Sequence, residues 1–415
     1  MRKLFGLLLA LLILAAAIPL AGCGESKSEE PYKIGALFAV TGGNAPLGEP
    51  EEQTVKMMEE EINENGGIDG HPVKVIVYNY ESDAVKCATY AEKLITEDKV
   101  VAIIGPTGTG DSLAIVDACR DAEIPLISCA AGVSIVTPTE TNDKHWIFTT
   151  PQLSVMVVQR LYEYLGDQGI TKIALLTDTL GFGKDGKANL NGQAAAYGVT
   201  ITADQTYGAT DADMLTQLTL IKNSSPQAIV CWGTSPGPAI VARNMTTLSM
   251  TDIPLFCSHG IAFQSFITAA GASANGVIFP CGKLPIVNDL PDSDPQKDLL
   301  TEYRDAFNAK YGNGTANTFG GHAYDALSIV VAALKNAVEE TPEKINSSDD
   351  TLQTVRGKIR DYVETKVNST GFPETGGFPG TAGVFNMSAE NHNGLAMSCL
   401  VMVKIVDGKW TLVVE

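Results

Sequence analysis

Two glycine-rich turns and five histidines are the residues of this chain whose types and spacing could do chemistry. The first turn lies in VVAIIGPTGTGDSLAIV, residues 100–116. Its apolar run Val100–Ile104 reads as a buried strand, Gly105–Gly110 as a tight turn, and the residues from Asp111 as a helix with Leu113, Val116 and Cys119 on one face. A helix starting there points unpaired N–H groups and partial positive charge at the turn, which suits an anion. A nucleotide triphosphate is a poor match. The phosphate-loop pattern GxxxxGK[ST] needs lysine where Asp111 stands, and a carboxylate there repels phosphate. The second turn, GTSPG at Gly233–Gly237, fits the nucleophile elbow G-x-S-x-G between the strand QAIVCW and the helix PAIVARN. Serine hydrolysis would use Ser235, with a base from His259, His322 or His392. An oxyanion hole needs the N–H of the residue after the serine, and Pro236 has none. The turn therefore reads better as a helix start, with Ser235 as N-cap and Pro236 at the first helical position. His71, His145, His259, His322 and His392 show no HxxxH or HExxH spacing and no CxxC pair accompanies them, so neither a metal nor a cofactor is expected. Asp211 and Asp213, in a polar connection, read as solvated.

Both turns need a scaffold of parallel strands, and the pattern supplies it twice. From Tyr32, strands YKIGALFAV, VKVIVYNY, VVAIIG and IPLISCAA alternate with helical segments carrying Val55, Met58 and Ile62, then Val85, Ala88, Leu94 and Ile95, then LAIVDACRDA. KIALLTD, VTITADQTY, QAIVCWG, IPLFCS and VIFPC repeat the alternation, with helices near Asn189–Ala196, Met214–Lys222 and Ile240–Leu248. Alternation of this kind predicts parallel sheets covered on both faces, and two series predict an α/β protein of two doubly wound, Rossmann-like lobes. Long helical patterns at Leu299–Tyr311 and Thr318–Val338 have few strands near them and must cover an existing sheet, here assigned to the first lobe. After the Gly/Pro-rich stretch GFPETGGFPGTAG comes a terminal hairpin, LAMSCLVMVKIVDGKWTLVV, with DG at its turn. The expected division is 32–151 with 284–372 as the N-terminal lobe and 152–283 with 373–415 as the C-terminal lobe. Three crossings then make a hinge beside a cleft, and the crevice beyond the carboxyl ends of parallel strands is where doubly wound folds hold ligands.

Arg2 and Lys3 precede an apolar run, Leu4–Leu20, that ends in LAGC at Leu20–Cys23, the zones of an export signal over residues 1–22. The LAGC sequence resembles the bacterial lipobox, which implies a lipid anchor on Cys23 followed by a tether over 23–31. No later stretch is long and uncharged enough to span a bilayer. A net charge of −19, without long acidic blocks, argues against nucleic-acid binding. Eight cysteines less Cys23 leave an odd number, which forbids complete internal pairing. Buried, hydrophobe-like thiols are the simpler reading, with one or two disulfides as the alternative.

The stretch from IGALFAVTGGNAPLGEP to VIVYNYESD, then VVAIIGPTGTGDSLAIVDACRDAEIPLISCAA, ALLTDTLGFGKDG and HAYDAL, resemble the branched-chain amino acid binding family of bacterial ABC importers over essentially the whole mature chain. The resemblance implies a type I periplasmic-binding fold whose lobes close on a small carboxylate and deliver it to a membrane permease outside the cytoplasm, on the periplasmic side or at the cell surface. It implies ligand-carboxylate contacts from Thr109 with Gly108 and Gly110, the Asp111 side chain pointing away as a cap, and backbone contacts from Ala130 and Gly132. On the second lobe Phe182 stands where relatives present tyrosine, and Ser235 matches another contact position. His259 stands where relatives place an acid that pairs with the ligand ammonium, and Leu47 where they place a polar aromatic. Such a site suits either an apolar or branched-chain amino acid or an amine-free acid, aromatic acids included. No catalysis is expected. A ligand-sensing receptor of the same fold is the alternative.

Overall fold

The computed structural model describes residues 30–234, 236–340, 348–367 and 376–414. The signal segment and Cys23 lie outside the described residues, as does Ser235. Among the described residues no helix is long and apolar enough to cross a membrane.

Five parallel strands form the first sheet: β1 (Tyr32–Phe38), β2 (Val73–Asn79), β3 (Ile103–Ile104), β4 (Leu126–Ser128) and β5 (Ile147–Thr149), in the order β2-β1-β3-β4-β5. Their residues are apolar on both faces because helices cover both, which is why alternation within each strand is weak. The second sheet holds β6 (Lys172–Asp178), β7 (Thr200–Tyr207), β8 (Ala228–Trp232), β9 (Leu255–Cys257) and β10 (Ile278–Cys281), all parallel where they pair. A short ribbon, β11 (Phe378–Pro379) with β12 (Val384–Phe385), precedes the terminal hairpin β13 (Val401–Val406) and β14 (Lys409–Leu412). The hairpin turns on Asp407 and Gly408, both at positive φ as a two-residue turn requires, and pairs antiparallel with β10. The second sheet therefore runs β14-β13-β10-β9-β8-β6-β7.

The chain passes between the sheets three times. After β5 it enters the Ser154–Asp167 helix, which packs on β10 and the Gly181–Ala194 helix. After β10 it returns to the Thr318–Glu340 helix, which packs along Ala45–Glu64 and against β3. The segment before β13 runs beside β5, where Thr149 N donates to the His392 carbonyl (3.2 Å) and Asn393 Nδ2 donates to the Thr149 and Pro151 carbonyls (3.1 and 2.8 Å). Asp325, fully buried in the Thr318–Glu340 helix, holds this return strand by accepting from Thr381 N (2.6 Å), Thr381 Oγ1 (3.1 Å) and Ala382 N (2.8 Å).

The helix expected from Asp111 is two pieces, Thr109–Leu113 and Val116–Asp121, broken at Ala114–Ile115. Leu113 consequently leaves the predicted face and is exposed, while Val116 and Cys119 stay buried. The helix after the second turn starts at Gly237, with Pro236 itself as N-cap. A further amphipathic helix, Asp349–Thr365, buries Leu352, Val355, Ile359 and Val363 beside the Thr318–Glu340 helix. The seven cysteines from Cys87 to Cys399 are all buried and unpaired.

Candidate functional site

A cavity of about 250 Å³ lies between the lobes, past the carboxyl ends of β1, β3, β4 and β6. It is larger than the roughly 150 Å³ void that accepts benzene, so a ligand of amino-acid size fits. From the first lobe, Leu47, Gly108, Thr109, Gly110 and Ala130 line it; from the second, Phe182 and His259. Gly132 is not part of the lining. It sits behind Thr109, where an added Cβ would fall 2.2 Å from Thr109 Cγ2.

The first-lobe turn is wired in place by the protein's own groups. Gly105 has φ +80°, and a Cβ there would meet the Leu37 carbonyl oxygen at 2.3 Å, so only glycine lets the chain leave β3 this way. Thr107 Oγ1 donates to Glu51 Oε2 (2.5 Å) and accepts from Ala39 N (3.0 Å), tying the turn to the ends of β1 and the first helix. Ser112 Oγ and Ser128 Oγ share a hydrogen bond (2.8 Å), Ala130 N donates to Ser128 Oγ (3.1 Å), and Thr149 Oγ1 donates to the Ala130 carbonyl (2.7 Å). Within this network Thr109 stands apart: the residue lines the cavity at 2% exposure, and its hydroxyl is buried without a partner. Thr109 and Gly110 open a helix, where backbone N–H groups lie outside the intrahelical ladder.

Asp111 does not point away. Its side chain lines the cavity, folds back over Gly108 and accepts from Tyr80 Oη (2.9 Å). Burial raises its pKa, the Tyr80 bond opposes the rise, and the charge of Asp83 adds to it. Across the cleft Asp178, at the end of β6, accepts from Leu180 N (2.9 Å) and Gly183 N (3.1 Å), and burial raises it also. Glu51, behind Thr107, is driven well above the ordinary carboxylate range by burial. Among the described residues no lysine or arginine lines the cavity.

The second-lobe wall is aromatic. Phe182 packs edge-on to His259 (5.4 Å between centroids) and against Trp232 (5.6 Å), whose indole lies so close to Gly186 that a Cβ there would touch Nε1 at 2.1 Å. His259 is 6% exposed, and neither ring nitrogen has a hydrogen-bond partner. Burial lowers its pKa to about 4; the Gln152 main chain opposes this in part without reaching hydrogen-bond geometry. His322, on the Thr318–Glu340 helix, completes the floor next to Phe319 (5.8 Å) and is lowered to about 3 by burial and then by the charge of His259. Sequence reasoning does not place His322 or Asp178 in the ligand site: His322 enters only as a candidate hydrolase base, among the histidines without metal spacing and within HAYDAL, and Asp178 only as the last residue of a strand.

The lobes touch around the cavity. Asp185, on the Gly181–Ala194 helix, accepts from Val133 N (3.2 Å), Ser134 N (3.2 Å) and Ser134 Oγ (2.9 Å) on the first lobe. Thr234 Oγ1 donates to Asn44 Oδ1 (3.2 Å), and Gly181 abuts Gly110 so closely that a Cβ on Gly181 would lie 2.4 Å from Gly110 N. Among the described residues no cluster of His, Cys, Asp or Glu could hold a metal ion.

This geometry has close parallels. Residues 31–409 match the family model described as periplasmic binding protein. The leucine-, isoleucine-, valine-, threonine-, and alanine-binding protein of Pseudomonas aeruginosa is 23% identical over 88% of this chain and 91% of its own length. A Leu/Ile/Val-binding protein homologue of Brucella melitensis is 22% identical over 83% of this chain and 87% of its own. Among solved structures, an extracellular ligand-binding receptor of Rhodopseudomonas palustris superposes with a TM-score of 0.80 at 24% identity, covering 92% of this chain and all of that one. The branched-chain amino acid transporter substrate-binding protein of Streptococcus pneumoniae, solved with isoleucine, gives 0.73 at 22% identity, covering 92% of this chain and 98% of that one.

Proposed function

From the premise that the chain belongs to the periplasmic binding protein family, we propose that it is the extracytoplasmic capture subunit of an importer, closing its two lobes on a small carboxylate. The observation that carries this is the buried, unpartnered hydroxyl of Thr109, a residue at the opening of a helix that lines a cavity shared by both lobes. A carboxylate placed there receives the hydroxyl and the first N–H groups as charge-assisted hydrogen bonds.

Of the two ligand types left open by the sequence, the lining supports the amino acid. Replacing an acid by His259 does not strip the site of negative charge, because Asp111 and Asp178 line the same cavity. A zwitterion whose carboxylate meets Thr109 and whose ammonium lies toward Asp111 balances its own charge and lowers the cost of keeping Asp111 ionised in a buried place. An amine-free acid adds one more negative charge to a cavity without a lysine or arginine. The LAGC sequence at Leu20–Cys23 supports a lipid anchor, and the name of the Streptococcus pneumoniae neighbour, a transporter substrate-binding protein, supports delivery to a membrane permease.

Calorimetry tests this directly. Leucine should bind more tightly than 4-methylpentanoate, and Asp111→Asn should narrow the gap. Equal or tighter binding of the amine-free acid by the wild-type protein overturns the zwitterion reading.

A further inference from the structure

The family reading accounts for the Thr109 end of the cavity but not for its floor. Two imidazoles stand there, His259 from the second lobe and His322 from the Thr318–Glu340 helix, each more than nine-tenths buried. Nδ1 and Nε2 of His259 and Nδ1 of His322 are buried without a hydrogen-bond partner. The rings beside them, Phe182 and Trp232 at His259 and Phe319 at His322, are aromatic, and the Gln152 main chain near His259 does not reach hydrogen-bond geometry, so an apolar ring would fill the same space without leaving these nitrogens unpaired. Each unpaired nitrogen is a cost that a ligand can remove. An alkyl tail of the leucine or valine kind cannot remove it.

We propose that the ligand's tail carries an uncharged hydrogen-bonding group, a hydroxyl or a carboxamide, seated between His259 and His322, so that the site discriminates against plain hydrocarbon side chains. A neutral imidazole offers one N–H donor and one nitrogen acceptor, so the pair can give to and take from a single hydroxyl or amide. Charge on the tail is disfavoured on both sides. No carboxylate pairs with either ring among the described residues to support a cationic tail there. Two protonated rings to meet an anion would have to form in a buried place where each already opposes the other's charge. The carboxylates on the surrounding elements are engaged elsewhere: Asp178 caps its own helix, Glu51 holds Thr107, and Asp111, which also accepts from Tyr80, meets the ligand's ammonium in the reading above. The inference rests on the proposed carboxylate end of the cavity and adds the chemistry of the other end.

The test uses probes matched in shape, measured by calorimetry on the mature chain: leucine against asparagine, valine against threonine, and 4-methylbenzoate against 4-hydroxybenzoate. In the pair that binds best, the hydrogen-bonding member should be at least about tenfold tighter, because its rival leaves buried donors and acceptors unmatched. His259→Phe and His322→Leu should each erase or reverse that preference while Thr109 still anchors the carboxylate, and an unchanged far-ultraviolet circular dichroism spectrum shows that each variant is folded. Repeating the titration in two buffers of different ionisation enthalpy should show no net proton uptake. Equal or tighter binding of the hydrocarbon members overturns the tail assignment alone, as does uptake of a proton, which marks an anionic tail. Failure of all six probes to bind overturns the carboxylate reading on which the inference rests.

Discussion

The two walls of the cavity are built on opposite plans. On the first lobe nearly every polar group has a partner inside the protein: Thr107 on Glu51 and Ala39, Asp111 on Tyr80, Ser112 on Ser128. One hydroxyl, that of Thr109, is left over. On the second lobe Asp178 and Thr234 are partnered, but both nitrogens of His259, in the cavity lining, and Trp232 Nε1 and Tyr207 Oη, behind it, are buried and unpaired in largely aromatic surroundings. A wired wall presents one fixed hydrogen-bonding direction and loses no further order when a ligand arrives. An unwired wall is expensive while empty and gains most when a matching group fills it. The difference assigns capture to the first lobe and discrimination to the second.

The comparison requires the walls to meet, and the most damaging change should keep them apart. Gly181→Ala puts a methyl group 2.4 Å from Gly110 N and 2.7 Å from its Cα, both main-chain atoms of the other lobe that cannot swing aside. Shifting the open–closed balance this way should weaken binding by about a hundredfold or more. The melting temperature of the free protein should stay within about 2 °C, since the clash exists only between lobes. Calorimetry with small-angle scattering reads both, and an unchanged affinity would mean that ligand is held without this contact.

Next comes the single free hydroxyl. Thr109→Ala removes a hydrogen bond to a charged group, for an expected loss of about ten- to a hundredfold in affinity, whereas Thr109→Ser should keep most of it. Gly132→Ala should mimic the loss, because its methyl displaces Thr109 Cγ2. If Thr109→Ala and the wild type bind alike, the first lobe is not the capturing wall. A smaller effect is expected at the rim. Asp185→Ala deletes the three bonds to Val133 and Ser134 that form across the cleft, and should reduce affinity about tenfold, mainly by faster release. An equal slowing of association would instead place Asp185 in ligand entry.

The wired wall was the more legible of the two from sequence. Gly105, Thr109 and the strand before them are neighbours in the chain, and local rules for turns and apolar runs reach them. The alternation of strands and helices and the Asp407–Gly408 hairpin are local in the same sense. Asp111 was misjudged because its direction is set by Tyr80, which β2 and its following turn bring from far upstream. The break at Ala114–Ile115 lies between residues whose side chains reach other elements, Asp111 to Tyr80 and Ser112 to Ser128, and the buried Val116 and Cys119. The floor was hidden for a stronger reason: His322 joins His259 in the cavity lining only because a long helix returns across the hinge, a fact of tertiary packing with no sequence period. The Asp349–Thr365 helix is different, since Leu352, Val355, Ile359 and Val363 carried a helical period that went unread.

The smallest expected effect concerns acid, and it separates an unwired histidine from an ordinary one. His259 and His322 have folded pKa values lowered to about 4 and about 3, below the roughly 6.5 of a solvated ring. Between those limits the unfolded chain holds more protons than the folded one, so stability falls as pH drops from about 6.5 towards 4 and this contribution is fully present only above 6.5. From pH 7.5 to 5.5 each ring should cost about 1 kcal/mol. Asp325, raised to about 7 by burial against its three hydrogen bonds, acts the other way and favours the folded state as pH falls from about 7 to the ordinary carboxylate range. The net curve mixes the two, so the readout is a difference. Denaturant melts of His322→Leu against wild type should show the variant losing about 1 kcal/mol less over that range, while Asp325→Asn should lose more than wild type does. Identical slopes for wild type and His322→Leu would mean that the ring is already hydrogen-bonded or hydrated, and the cavity floor would then be wired after all.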